Sequence, residues 1–218
     1  MSDSPYLSIE SLNKDLGGRP VLQDLFIRAE KGERLALTGE NGAGKTTLIR
    51  ILAGALKADS GNLRLGDARD PLSPAWRQQI AWAPQDIALD MEMNVRDQLR
   101  FWTRLSYRER EEQKNVLERL YADPLVSDFL GRKTRQLSGG MLRRLNLMIS
   151  LIRPAGLLLL DEPFVGADDS SAALMEERLL EDSRQQRLII FCSHEKERVS
   201  RLATRILYLK GGSFEIGE

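Results

Sequence analysis

Apolar and polar residues alternate over Tyr6 to Glu10 and again over Leu22 to Ala29. A two-residue period of this kind predicts strands with one wet face. Between them Gly17-Gly18-Arg19-Pro20 predicts a hairpin turn. Lys31-Gly32-Glu33 predicts a second turn, which feeds a short buried strand at Leu35 to Leu37, and Leu48-Ile-Arg-Ile-Leu predicts a helix. Ala58-Asp-Ser-Gly61 breaks the chain before a strand at Asn62 to Leu65. Pro71 and Pro74 punctuate a surface connection, and a short strand follows at Ile80 to Ala83.

From Met91 to about Ile152 the period becomes helical. Val95, Leu99 and Trp102 recur at helical spacing, and Tyr107 to Tyr121 turns Val116, Leu117 and Leu120 inward beneath a solvated face, Arg108 to Lys114. A further helix opens at Leu137-Ser-Gly-Gly and ends near Pro154. Leu157 to Leu160 is a continuous apolar run, as in a central parallel strand covered on both faces. A helix from Asp168 to about Ser183, a buried strand at Leu188 to Phe191 and a helix at Glu195 to Ala203 follow. A hairpin of Ile206 to Leu209 and Ser213 to Ile216 closes the chain about Gly211-Gly212. Strands alternating with helices predict an α/β fold with a parallel sheet, interrupted by a helical lobe over 87–153.

Composition narrows the function classes. Lys and Arg balance Asp and Glu at 32 each in 218 residues, so bulk charge does not point to nucleic acid. The single cysteine, Cys192, excludes an intrachain disulfide and fits a reducing compartment. Met-Ser-Asp-Ser-Pro lacks the basic and apolar regions of a signal peptide, and no apolar run reaches the length of a membrane span. A cytoplasmic location is expected.

The chemistry starts at Gly39, Glu40, Asn41, Gly42, Ala43, Gly44, Lys45, Thr46 and Thr47. Gly, four residues, Gly, Lys, Thr between a strand and a helix is the phosphate-loop pattern. Glycines let backbone amides turn inward around phosphate oxygens at the positive end of a helix. Lys45 supplies a mobile charge for the β- and γ-phosphates, and the Thr46 hydroxyl a ligand for Mg²⁺. These residues predict binding of a nucleoside triphosphate. Asp161 ends a buried strand and suits Mg²⁺, and Glu162 suits the attacking water as general base or positioning group. His194, the only histidine, also follows a buried strand and could bond the γ-phosphate and orient Glu162 or the water. Gln85 follows another strand and could reach Mg²⁺ or the water. Ser138-Gly139-Gly140 predicts a capped helix with exposed first amides, a second anion site. Since the phosphate loop already serves the chain's own nucleotide, this second site suggests a partner subunit's nucleotide.

Together these motifs resemble the nucleotide-binding subunit of ABC transporters over nearly the whole chain. The family's motifs occur in order: Walker A at Gly39 to Thr46, Q-loop Gln85, signature Leu137 to Met141, Walker B Leu157 to Asp161, catalytic Glu162, D-loop Asp168 and switch His194. The resemblance implies a P-loop NTPase, RecA-like core with an N-terminal antiparallel β part and an inserted α-helical subdomain. Residues 1–218 then form one ATP-binding domain, with 1–86 and 154–218 as core and 87–153 as the signature-bearing subdomain. It also implies ATP and Mg²⁺, head-to-tail pairing with a second ATP-binding subunit, most simply a copy of itself, and coupling to integral-membrane permease subunits at the inner face of a membrane. No nucleic-acid partner is expected. Met141 replaces the common glutamine, and Phe164-Val165-Gly166-Ala167-Asp168 replaces the usual Thr-Ser-Ala-Leu-Asp. With Asn94 to Trp102, these departures are similar to the exporter branch that handles drugs, polysaccharides and haem. Where many members stack an aromatic on adenine, this chain places Leu16, with Tyr6 as an alternative. The competing expectation is a soluble ABC ATPase acting in repair, translation or cluster assembly, yet the chain carries neither a coiled-coil insertion nor a second ATPase domain in tandem.

Overall fold

The computed structural model describes residues 5–184 and 186–215. The described residues form nine strands and seven α-helices, which group into two compact units. The first comprises 1–82, 155–162 and 182–218, and the second 83–154 and 163–181.

In the first unit, β1 (Leu7–Leu16), β2 (Arg19–Ala29) and β4 (Ser60–Leu65) form an antiparallel sheet in the order β2-β1-β4. The β1–β2 turn is Gly17-Gly18 alone; Arg19 and Pro20 already belong to β2, opposite Leu16 and Asp15. Pro20 is tolerated close to the start of a strand, where few ladder bonds depend on its missing N–H. β1 also continues past Glu10. Register shifts between Ile9 and Asp15, with Ser11 at φ 50°, break the alternation that marks a regular strand.

The second sheet has the order β5-β6-β7-β3-β8-β9, from β3 (Arg34–Gly39), β5 (Ile80–Ala83), β6 (Leu157–Leu160), β7 (Leu188–Cys192), β8 (Arg205–Lys210) and β9 (Ser213–Glu215). β3 pairs in parallel with β7 and β8, and β6 with β7; β8–β9 is the closing antiparallel hairpin. The sequence placed that hairpin's end at Ile216, which lies outside the described residues. α1 (Lys45–Leu52) contacts strands of both sheets. It buries Leu48, Ile49, Ile51 and Leu52 in one core with Leu7, Ile9 and Leu12 of β1 and with one face of β3, β6 and β7: Leu35, Leu37, Leu157, Leu159, Leu188 and Ile190.

The stretch after Pro71 is more than a surface connection. Ser73 caps α2 (Pro74–Gln78), its hydroxyl accepting the Trp76 amide at 3.2 Å, and Pro74 stands at the first helical position. Trp76 is completely buried and its indole N–H donates to the Leu52 carbonyl at 2.7 Å, tying α2 to the end of α1.

In the second unit the helices begin later than the periodicity implies. Met91 to Met93 are not helical, and α3 (Val95–Ser106) starts after Asn94, whose side chain accepts the Asp97 amide at 2.8 Å. α4 (Arg110–Ala122) buries Val116 and Leu120. Two 3₁₀ turns, Ser127–Phe129 and Thr134–Gln136, lead to α5 (Gly139–Ile152). Val95 and Leu99 are core residues, whereas Trp102 is half-buried against the edge of the exposed Phe101 ring. α6 (Asp169–Arg184) contributes its residues up to 181 to this unit, and α7 (Lys196–Leu202) returns to the first.

Trp76→Ala removes a fully buried indole and its hydrogen bond, and should lower the unfolding free energy by about 3–5 kcal/mol. Urea unfolding with and without nucleotide checks this; the loss should appear in both series.

Candidate functional site

β6, β7 and β3 lie side by side in the larger sheet with β7 in the middle. Their parallel pairing brings three C-terminal ends to one edge, the place where open α/β sheets collect ligand chemistry. β3 releases the phosphate loop, β6 the Asp161-Glu162 pair and β7 the Ser193-His194 pair.

The loop depends on glycine at Gly44, where φ is +107° and a Cβ would stand 2.9 Å from the Val21 carbonyl and 2.7 Å from Leu22. The loop can therefore pass beneath β2 only without a side chain there. Lys45, just inside α1 and 7 % exposed, donates from Nζ to the Gly39 carbonyl at 2.8 Å and the Glu40 carbonyl at 3.0 Å. Its ammonium closes the loop on itself. Glu40, Asn41, Gly42 and Thr46 are exposed, Ala43 and Thr47 half-buried, so the mouth is open to solvent.

The Thr46 hydroxyl donates to Asp161 Oδ1 at 3.2 Å. Asp161 is 2 % exposed, and burial raises its carboxyl above the ordinary range against hydrogen bonds from Thr46 and Cys192 and the charges of Lys45 and Arg50. In the sequence Cys192 marks only the compartment. The structure gives its thiol a second place, as a donor to Asp161, through the β6–β7 register; burial raises the thiol well above its usual range. The Thr46 hydroxyl and the Asp161 carboxylate are hard oxygen donors within reach of each other and fit a magnesium ion that takes its remaining ligands from phosphate and water. Among the described residues there is no group of three or more His, Cys, Asp and Glu side chains that could hold a metal by itself.

Glu162 is buried and carries φ +50°, a conformation that costs a residue with a Cβ about 1–3 kcal/mol where it persists. Burial raises its carboxyl; His194 and Lys45 oppose the rise, while Asp161 and Glu195 add to it. His194 Nε2 lies 2.9 Å from Glu162 Oε1, and the imidazole remains about half exposed. The pair is a base beside a proton donor or acceptor, both at the rim of the phosphate loop's unit.

The signature, Asp168 and Gln85 belong to the second unit. The Ser138 hydroxyl accepts the Met141 amide at 3.3 Å and caps α5, leaving the first-turn amides of Gly139 and Gly140 without intrahelical acceptors. A Cβ on Gly140 would meet Asp168 Oδ2 at 2.5 Å and Ser171 Oγ at 2.8 Å. Asp168 itself caps α6. Its Oδ1 accepts the Ser170 hydroxyl at 2.6 Å and the Ser171 amide at 2.8 Å, and Oδ2 the Ser171 hydroxyl at 3.0 Å. These bonds, the Ser170 hydroxyl foremost, lower its carboxyl to about 2. Gln85 is exposed, and its main-chain carbonyl accepts Arg143 Nη1 at 2.7 Å.

Leu16 ends β1 and is 43 % exposed, beside the Gly17-Gly18 turn that leads into the part of β2 touching Gly44. Tyr6 is not an alternative to it. Tyr6 precedes the other end of β1, about 30 Å away at 3.3 Å per strand residue. Its hydroxyl donates to Gln79 at 3.2 Å, it fills the space over Gly156, and Lys31 covers its ring at 4.8 Å.

A glycine loop at a helix N-terminus, with two buried acids at the end of β6 across β7 from it, defines a phosphate-loop nucleotide-binding fold. Comparison with known proteins gives the family. The ABC transporter family model matches residues 22–165, and the chain belongs to that family, whose ATP-binding proteins are ATPases. The spermidine/putrescine import ATP-binding protein PotA of Marinobacter nauticus is 31% identical over 207 residues, covering 94% of this chain and 56% of that protein. The Nod factor export ATP-binding protein I of Rhizobium meliloti is 32% identical over 207 residues, covering 94% of this chain and 62% of that protein. The chain thus spans under two thirds of the length of each. A dimeric ATP-binding cassette in a post-hydrolysis state, bound to ADP and Pi, shares the fold at a TM-score of 0.85 and 22% identity, with 97% of each chain covered. No helix among the described residues is long and apolar enough to cross a membrane.

Because the Asp168 carboxyl is lowered, it stabilises the native state above its ordinary value of 3.8, and that contribution fades as pH falls towards about 2. Asp168→Ala should lower the urea midpoint at pH 7, and the gap from wild type should narrow steadily over that acid window. Midpoints measured across the pH series check both the sign and the window.

Proposed function

We propose that this chain is the ATP-hydrolysing subunit of a membrane transporter, a single domain in which the α/β core binds nucleotide and the helical subdomain carries the signature. The observation that supports it most is the junction of Lys45, Thr46, Asp161, Glu162 and His194 at three adjacent strand ends.

ATP enters the open mouth, and the amides of 41–47 turn to its phosphates. Lys45 exchanges the Gly39 and Glu40 carbonyls for β- and γ-phosphate oxygens, a swap that leaves the ammonium paired throughout. Thr46 and Asp161 would hold Mg²⁺, with Gln85 as a further ligand or water contact; bound there, the ion neutralises charge building on the phosphates. Glu162 accepts a proton from the attacking water as its oxygen bonds to the γ-phosphorus and the bond to the bridging oxygen breaks, giving ADP and phosphate. A carboxyl raised by burial is a better match to a general base at neutral pH than an exposed one. His194 holds Glu162 in place and reaches the γ-phosphate. Leu16 gives adenine dispersion contact without aromatic stacking.

Two copies would pair head to tail, with Ser138, Gly139 and Gly140 of one subunit completing the phosphate site of the other. The dimeric cassette of the same fold supports pairing. Membrane permease subunits would receive the motion. In the second unit Met91 is 45 % exposed and Phe101 47 %, and Ile87, Leu89 and Met93 are half-buried, a Met- and aromatic-rich surface of the kind that accepts another protein's helix. Such a subunit works at the cytoplasmic face of the membrane. Export is favoured by the Met141 and Val165-Gly166 variations and by the similarity to a Nod factor export protein.

Glu162→Gln should keep ATP affinity and lose turnover by roughly 10²–10⁴-fold, the contribution typical of a general base. Nucleotide binding by fluorescence and phosphate release by single turnover separate the two. Near-wild-type turnover would take Glu162 out of the mechanism.

A further inference from the structure

One face of α5 carries Gly139, Gly140, Arg143 and Asn146 at helical three- and four-residue spacing. Every one of them meets a loop that bears a candidate nucleotide group. A Cβ on Gly139 would stand 3.0 Å from the Gly166 carbonyl, and one on Gly140 would strike Asp168. Arg143 Nε donates to the Val165 carbonyl at 2.8 Å, while its Nη1 donates to the Gln85 carbonyl at 2.7 Å. Asn146 Nδ2 reaches the Pro84 carbonyl at 3.4 Å. All of these residues lie in the second unit.

We propose that Arg143 is a positioning residue that fastens the backbones of the Gln85 loop and of the 163–168 loop to the helix headed by Ser138. The inference rests on the reading of Gln85, Ser138 and Asp168 as groups that face nucleotide. A guanidinium suits the task because its planar fork presents donors in two directions at once, so Nε and Nη1 serve carbonyls of different segments. A lysine ammonium is a point charge on a flexible stem and fixes no such angle. Because both acceptors are main-chain carbonyls, the side chain sets where each loop runs, whatever side chains the loops carry. An anion that moves the head of α5 then carries the Gln85 loop and the 163–168 loop with it through the Arg143 fork.

The test compares wild type, Arg143→Lys and Arg143→Met, each alone and combined with Gln85→Ala. Hydrogen exchange in the nucleotide-free protein reads loop position without activity. Arg143→Met should speed exchange over 84–89 and 163–168 and leave 39–47 unchanged, with Arg143→Lys intermediate. Turnover should fall by about 2- to 30-fold, the range of coupling carried by packed segments, at unchanged ATP affinity. In the Gln85→Ala background most of that loss should vanish, because the residue being positioned is already gone. Unchanged exchange in both loops, or a loss that multiplies in full with Gln85→Ala, would overturn the proposal. If Arg143→Met does not fold, the same two readouts on Arg143→Lys decide it. If Gln85→Ala turns over like wild type, the nucleotide role of Gln85 falls, and exchange over the two loops still decides whether Arg143 positions them.

Discussion

The Lys45 ammonium and the carboxylates of Asp161 and Glu162 are all nearly sealed from water, and the rest of the first unit exists to hold them there. Removing charges from water is costly unless they are paired and hydrogen-bonded. Lys45 pulls both acids towards their charged forms, and burial pushes both the other way. Burial is the larger influence on each. The cluster is therefore a site under load: two acids held above their ordinary range and a cation whose hydrogen bonds go to its own loop. Phosphate, magnesium and water are the species that would relieve it.

Such a load needs a stiff frame. Parallel strands fully covered on both faces provide it, because Leu157 to Leu160 and Leu188 to Cys192 are buried at every position. Strand ends in this arrangement have little freedom to drift, so the Thr46 to Asp161 and His194 to Glu162 distances follow from sheet register. The left-handed backbone at Glu162 serves the same end. A strained residue between a buried strand and a tight turn aims its carboxylate instead of letting it trail along the chain. In the second unit the logic differs, with helix caps in place of strand ends. Ser138 and Asp168 each start a helix with side-chain oxygens, and the absence of side chains at Gly139 and Gly140 lets the two caps lie against each other.

Much of this was legible in the chain because the signals are local. A glycine loop between strand and helix is written in consecutive residues, and an apolar run ending in Asp-Glu announces a strand end with chemistry on it. Most strands and helices of the core followed from period or from a continuous apolar run, as at Leu157 to Leu160. What escaped has a common cause in long-range partners. Trp76 falls in the stretch that Pro71 and Pro74 mark as a surface connection, since nothing local says that its indole reaches Leu52. The C-terminal half of β1 was missed because bulges break its alternation. Cys192 acquires its contact with Asp161 from the β6–β7 register, and Arg143 bonds only carbonyls, which every residue offers. Tyr6 was placed near the nucleotide by its chemistry alone, and the length of β1 carries it to the far end.

The central claim is that the loaded cluster is completed by a second subunit, through the amides at the head of α5. Mixing Lys45→Ala subunits with Ser138→Arg subunits tests it most directly. Each homodimer has two broken sites, while the heterodimer keeps one site with both an intact phosphate loop and an intact signature. Phosphate release should be negligible for either variant alone and should return on mixing, towards half the wild-type rate per heterodimer if the sites work independently. Heterodimers shown to form by affinity tags, yet as inactive as their parents, would contradict the shared site.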